Sequence, residues 1–150
     1  VYDILNCNTI VFAQAAVQKI EENPLPNVRF LCVDAATLPE IFAEEEVNRI
    51  YLNFSDPWPK DRHARRRLTS SEFLGRYDQI LAQDGRIEFK TDNRKLFEYS
   101  VIEFNTMNLD IVELSLDLHS DKEDIITTEY EDKFVSKGNV IYYCKLKERE

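Results

Sequence analysis

Short apolar runs that end abruptly on polar residues, alternating with stretches of helical spacing, constrain this chain more than any other feature. Residues 28–33 (VRFLCV) stop at Asp34, residues 49–54 (RIYLNF) at Ser55-Asp56-Pro57, and residues 86–91 (RIEFKT) at Asp92-Asn93. Runs of this length and apolar content suit strands buried on both faces of a sheet. Helical spacing covers 10–20, closed by the breakers Asn23-Pro24-Leu25-Pro26-Asn27, and a short piece at 39–45. It returns from a Thr69 or Ser70 cap to about Ala82, from an Asp92 or Asn93 cap to about Phe104, and over 128–135. Asp84-Gly85 reads as a turn, 109–117 and 140–147 as the last strands, and 121–124 as an acidic loop. The pattern predicts an α/β fold: a mainly parallel sheet with helices on both faces and an antiparallel edge strand, where the last two strands leave little room for a crossover.

At 150 residues the chain is long enough for one domain with a sizeable core, and its few glycines and prolines argue against a disordered class. No apolar run approaches membrane-spanning length. Cys7, Cys32 and Cys144 have neither C-x-x-C spacing nor a nearby histidine, so reduced thiols of a cytoplasmic protein are expected, with no metal site.

In sheets of this kind ligands bind beyond the carboxyl ends of the strands, and there the polar residues collect: Asp34, then Ser55 to Trp58, then Thr91-Asp92-Asn93. Asp and Asn also cap helices and form turns, which is an equally good account of Asp92 and Asn93. Asp56 is different. Pro57 fixes its own φ and pushes Asp56 toward an extended conformation, and Trp58 offers a stacking face. Directly after comes Lys60-Asp61-Arg62-His63-Ala64-Arg65-Arg66-Arg67, with five basic side chains in eight residues of a chain whose net charge is −9. Such a patch is either a solvated helix end or a surface for a phosphate backbone.

The stretch Asn53-Phe54-Ser55-Asp56-Pro57-Trp58-Pro59-Lys60-x-Arg62-His63-x-x-Arg66-Arg67 resembles the tRNA (guanine-N7-)-methyltransferase family. Lys90-Thr91-Asp92-Asn93, and Thr128-Glu129-Tyr130-Glu131 followed by Lys133-Phe134, fall in that family's order, so the resemblance covers nearly the whole chain. It implies a Rossmann-like class I methyltransferase fold, S-adenosyl-L-methionine as cofactor, and tRNA as partner, with no membrane and a monomeric or homodimeric state. By the resemblance, Asp34 lies near the cofactor's adenine and Asp56 between cofactor and target base. Lys60, Asp92, Thr128, Glu129, Tyr130 and Glu131 contact the substrate, and Arg62, His63, Ala64, Arg65, Arg66 and Arg67 hold the RNA.

The residue types suit that chemistry. Guanine N7 carries a lone pair and no proton, so methyl transfer needs alignment and a counter-charge rather than a base. Asp56 supplies the carboxylate. Acceptors for the guanine N1 and N2 donors are offered by Asp92 and Glu131, while Lys60 reaches a phosphate or O6. Trp58 or Tyr130 stacks on the displaced base. His63 has no proton to move and reads as RNA-facing or packing; His119 reads as an ordinary structural histidine.

The family's glycine-rich first strand and turn is absent: Gly75, Gly85 and Gly138 all lie elsewhere. Aligning on the helix at 12–20 puts Cys7 where the ribose-binding acid belongs, with Asp3 serving only after a shift of a few residues. The missing strand is central in this fold, so its loss is expected to split the sheet and expose edges. The expectation is therefore one domain over 1–150, incomplete at its amino end. Two other readings stay open: an RNA-holding remnant without transfer, and a methyltransferase for another base.

Overall fold

The computed structural model describes residues 2–5, 10–107 and 109–148. Its centre is a five-stranded sheet in the order β1-β2-β3-β5-β4, formed by β1 (Tyr2–Leu5), β2 (Val47–Asn53), β3 (Leu81–Thr91), β4 (Leu109–Ser115) and β5 (Tyr142–Glu148). The first three strands run parallel. β5 is antiparallel to both β3 and β4, so the antiparallel strand stands one place in from the edge. Cα register pairs Ile50 with Ile87 and Phe89 with Cys144.

Alternation along the strands sends side chains to two cores. On one face Ile50, Leu52, Ile87, Phe89, Cys144 and Leu146 meet the buried residues of α3 (Ser71–Ile80) and α4 (Arg94–Thr106). There the Phe89 ring lies 6.2 Å from Phe97 and 6.0 Å from Phe104. On the other face Leu118, Ile141 and Tyr143 gather Phe54, Ile125 and Val135, from the region of α5 (Leu118–Asp121) and α6 (Glu129–Val135). α1 (Ile10–Glu22) and α2 (Leu38–Ile41) complete the helices. Asn93 caps α4 by accepting from Leu96 N at 2.9 Å, which settles the cap left open between Asp92 and Asn93.

Three expectations are corrected. Residues 28–33 form no strand; Phe30, Leu31 and Val33 are 47, 58 and 49% exposed. An apolar run becomes a buried strand only where a neighbour offers a ladder, and none of the described strands pairs with it. The sheet does not split either: Tyr2–Leu5, unannounced by its pattern, pairs in parallel with β2. Asp84-Gly85 lies inside β3, which starts at Leu81 as soon as α3 ends. A Cβ on Gly85 would sit 2.4 Å from Leu81 Cγ and 2.6 Å from Ala82 O, so this tight return of the chain onto its own strand requires glycine.

Candidate active site

β2 ends in a turn held against its own preferences. Phe54 and Trp58, neither of them glycine, take φ of 53° and 43°, a left-handed region that costs such residues on the order of 1 kcal/mol each. Between them Pro57 fixes the chain and Asp56 points outward, exposed. Phe54 N donates to Lys90 O at 2.9 Å, tying the turn to β3. The Ser55 hydroxyl is buried with no hydrogen-bond partner among the described residues.

Arg67 fastens the far side of the turn. Its Nε donates to Pro57 O at 3.1 Å and its Nη2 to Trp58 O at 3.0 Å, and its guanidinium lies 4.3 Å from the centre of the Tyr99 ring. At 8% exposure it is turned inward, unlike its neighbours in the basic run. Arg62, Arg65 and Arg66 are exposed, Lys60 too. Arg65 reaches Glu72 at 3.3 Å, Arg66 covers Trp58 at 4.9 Å, and His63 meets the Trp58 ring edge-on at 5.8 Å. The run forms a 3-10 helix over Asp61–Arg66, in which Ala64 contributes its carbonyl to Arg67 N.

The third element is α6. Thr128 caps it, accepting from Glu131 N at 3.1 Å. The T-x-x-E spacing would let Glu131 reach back to complete a capping box, yet its side chain goes inward instead. Glu131 is 0% exposed, with Oε2 2.9 Å from Lys90 Nζ and Oε1 2.8 Å from His119 Nε2. Lys90 Nζ also donates to Ile126 O at 2.9 Å. Tyr130 packs on Phe54 (4.7 Å) and Phe134 (4.2 Å). Burial first, then the charge and hydrogen bond of Asp92, hold its phenol above the usual range. Asp92 accepts from Asn139 Nδ2 at 3.2 Å. Glu129 pairs outward with Lys19 of α1.

Asp56, Trp58, Lys60, Asp92 and Thr128 to Glu131 therefore belong to one edge of the sheet, at the ends of β2 and β3. Asp34 is exposed after the unpaired 28–33 segment, with one oxygen capping Ala36 N at 2.9 Å. Cys7 lies outside the described residues. Sequence reasoning quoted Lys90 within the Lys90-Thr91-Asp92-Asn93 segment but gave it no role of its own, and it read His119 as structural, in keeping with its bond to Glu131. It gave Asn139 no part in the site. Among the described residues no cluster suits a metal ion and no helix is long and apolar enough to cross a membrane.

The comparisons agree with this geometry. Solved structures with similar folds include a SAM-dependent methyltransferase from Aquifex aeolicus (TM-score 0.59, 9% identity, 95% of this chain and 65% of that one). An rRNA methylase from Streptococcus thermophilus is similar too (TM-score 0.58, 12% identity, 97% and 72%). At such identities they show the fold, which is Rossmann-like class I. Among sequences, the tRNA (guanine-N(7)-)-methyltransferase of Geobacillus sp. (strain WCH70) is 54% identical over 89% of this chain and 61% of its own length. That of Streptococcus sanguinis (strain SK36) is 52% identical over 85% and 60%. The chain thus spans about three fifths of the relatives it matches. The profile of the family described as "Putative methyltransferase" matches residues 8–144, and the chain belongs to that family.

Proposed function

We propose that the protein transfers a methyl group from S-adenosyl-L-methionine to N7 of a guanine in the variable region of tRNA. The observation that carries this reading is Asp56: an exposed carboxylate between two strained residues, with a tryptophan and a basic run on its far side. Relatives at about half identity that bear this activity in their names support it.

When bound, the cofactor supplies an electrophilic methyl group on a sulfonium. The residues present fit it in one respect that the structure itself displays: the buried, unpartnered Ser55 hydroxyl beside Asp56 is a polar group awaiting a ligand. Asp34 and Asp56 are the carboxylates that hold the cofactor in this reading, with Cys7 at the ribose position.

Asp56 offsets the positive charge that grows on the purine as N7 is alkylated. Asp92, held by Asn139, accepts from the guanine N1 and N2 edge and so rejects adenine. Lys60 meets O6 or a phosphate, and Thr128, Glu129 and Tyr130 complete the substrate side; Glu131, expected there by sequence, is buried with both oxygens taken by Lys90 and His119 and does not reach the base. The Tyr130 ring packs on Phe54 and Phe134, whereas the groups against Trp58 are the exposed Arg66 and the edge of His63, so Trp58 is the aromatic assigned to stack on the displaced base. Arg62, His63, Arg65 and Arg66, with Ala64 among them, face the RNA; Arg67 braces the turn behind them. The protein acts in the cytoplasm as a monomer or homodimer.

The test is incubation with unmodified tRNA and labelled cofactor, followed by cleavage at 7-methylguanosine. Label at a single variable-region guanine is expected; label on another atom or base refutes the assignment. The competing reading is an RNA-holding remnant without methyl transfer. Calorimetry with S-adenosylhomocysteine separates the two, because a remnant holds tRNA in a salt-sensitive way and ignores the nucleoside.

A further inference from the structure

We infer that Lys90, Glu131 and His119 form a seat for α6 that positions Tyr130 and, through Asn139 just past the end of that helix, the guanine-selecting carboxylate of Asp92. The inference deepens the proposed function and rests on its assignment of Asp92 to the base.

A carboxylate with no exposure is costly unless each lone pair finds a donor. Glu131 meets that demand from two separate elements: Lys90 on β3 and His119 on α5. Lys90 adds a bond to Ile126 O in the loop before α6, while its own carbonyl receives Phe54 N from the strained turn. One residue therefore joins the end of β2, the end of β3 and the approach to α6. The residue before Glu131 is Tyr130, whose ring packs on Phe54. The contacts close into a ring: Phe54, Lys90, Glu131, Tyr130, and back to Phe54. Asp92 is tethered to the same helix by Asn139, whose Nδ2 donates to Asp92 at 3.2 Å and whose backbone N donates to Phe134 O at 3.0 Å.

This arrangement places Glu131 behind the recognition surface and leaves it no oxygen to offer a base. It also gives His119 a task that its position near a strand end did not suggest. A seat of this kind acts on substrate fit. A displacement of about 1 Å in a group that orients a substrate lowers turnover by up to about a hundredfold.

The experiment separates positioning from mere support. Replacing one partner alone leaves a buried charge unpaired and threatens the fold, whereas replacing both with apolar side chains is commonly neutral. The double variant Lys90→Met/Glu131→Met is therefore compared with the parent in the form of the protein that transfers methyl groups. His119→Leu and the conservative His119→Gln accompany it. Expected results are thermal stability near the parent's, unchanged S-adenosylhomocysteine affinity, and a tenfold or greater rise in KM for tRNA in the double variant. His119→Leu should follow it, and His119→Gln, which keeps a donor for Glu131, should recover most of the loss. A folded double variant with parental KM overturns the inference.

A second readout does not depend on activity. Tyr130 ring protons, assigned by their loss in Tyr130→Phe, carry ring-current shifts from Phe54 and Phe134, and the double variant should move them. Unmoved shifts also overturn the seat. A parent that methylates no tRNA while these shifts move refutes the proposed function and sustains the seat.

Discussion

Arg67→Met tests whether the basic run has a single role. By sequence Arg67 is one of five equivalent cations; by structure it is a buried brace whose guanidinium spans the Pro57 and Trp58 carbonyls and lies over Tyr99. Hydrogen bonds from a charged donor contribute roughly 1.5–3 kcal/mol and a partly desolvated cation–π contact roughly 1–2 kcal/mol. Methionine retains much of the apolar stem. A net loss of about 3 kcal/mol follows, which at a denaturant slope of about 2 kcal/mol per M lowers the urea midpoint by about 1.5 M. Below the transition, tRNA affinity at several salt concentrations gives the second half of the test. Each phosphate contact removed flattens the plot of log affinity against log salt by about 0.7–0.9. Replacing Arg62, Arg65 and Arg66 together with Gln should flatten it by about 2 with little change in the urea midpoint. Arg67→Met should do the reverse: a large midpoint shift and an unchanged slope. Parental stability in Arg67→Met, or a slope loss matching that of an exposed arginine, refutes the brace.

Asp56→Ala should lower kcat by about 10²–10³ while leaving tRNA affinity within a factor of a few, as expected for a group that acts on developing charge; single-turnover kinetics and filter binding measure the two, and normal turnover removes Asp56 from the mechanism. Gly85→Ala should destabilise the domain by about 1–3 kcal/mol in urea titration, since its Cβ meets backbone at Ala82 O as well as the Leu81 side chain; a neutral result would mean that the start of β3 yields easily. Burial pushes the Cys144 thiol up to about 12, so native protein at pH 8.5 should be alkylated at exposed Cys32 and spared at Cys144, as read by peptide mass spectrometry. The sign of the linked stability is fixed by the same shift: the folded state keeps a proton that the unfolded thiol releases above about pH 8.5, so Cys144 costs stability as pH rises from there, by at most about 1.4 kcal/mol per unit.

What the sequence disclosed about the fold was what local chemistry dictates. The runs at 49–54 and 86–91 became strands in β2 and β3 because each has a neighbour on either side in the sheet. The run at 28–33 is more apolar than either and stayed out, since pairing is settled between segments and no property of VRFLCV records the absence of a partner. Tyr2–Leu5 shows the converse, a fragment too short for periodicity that becomes a strand by lying beside β2. The cap at Asn93 was legible as one of two adjacent candidates because a cap is a contact between residues three apart; the cap at Thr128 was not read, though the helix was placed from that residue on.

The site divides along the same line. The assignments to Asp56, Trp58 and the exposed arginines rest on proline, tryptophan and clustered charge, which announce themselves within a few residues. Charge run against burial was the point of failure: a reading by composition assigns all five cations of the run to one surface, yet the fifth side chain lies inside. Glu131 failed in the same way. Its spacing from Thr128 matches a capping box, and only the approach of Lys90 from β3, with His119 from α5, turns it inward. Ionisable groups go inside a domain when partners distant in sequence arrive together, so the charges most committed to holding the site are the ones that local pattern misassigns. In the proposed function the exposed Asp56, Lys60, Arg62 and Arg66 are the groups assigned to the RNA and the chemistry, while Arg67, Lys90, Glu131 and His119 hold the elements behind them.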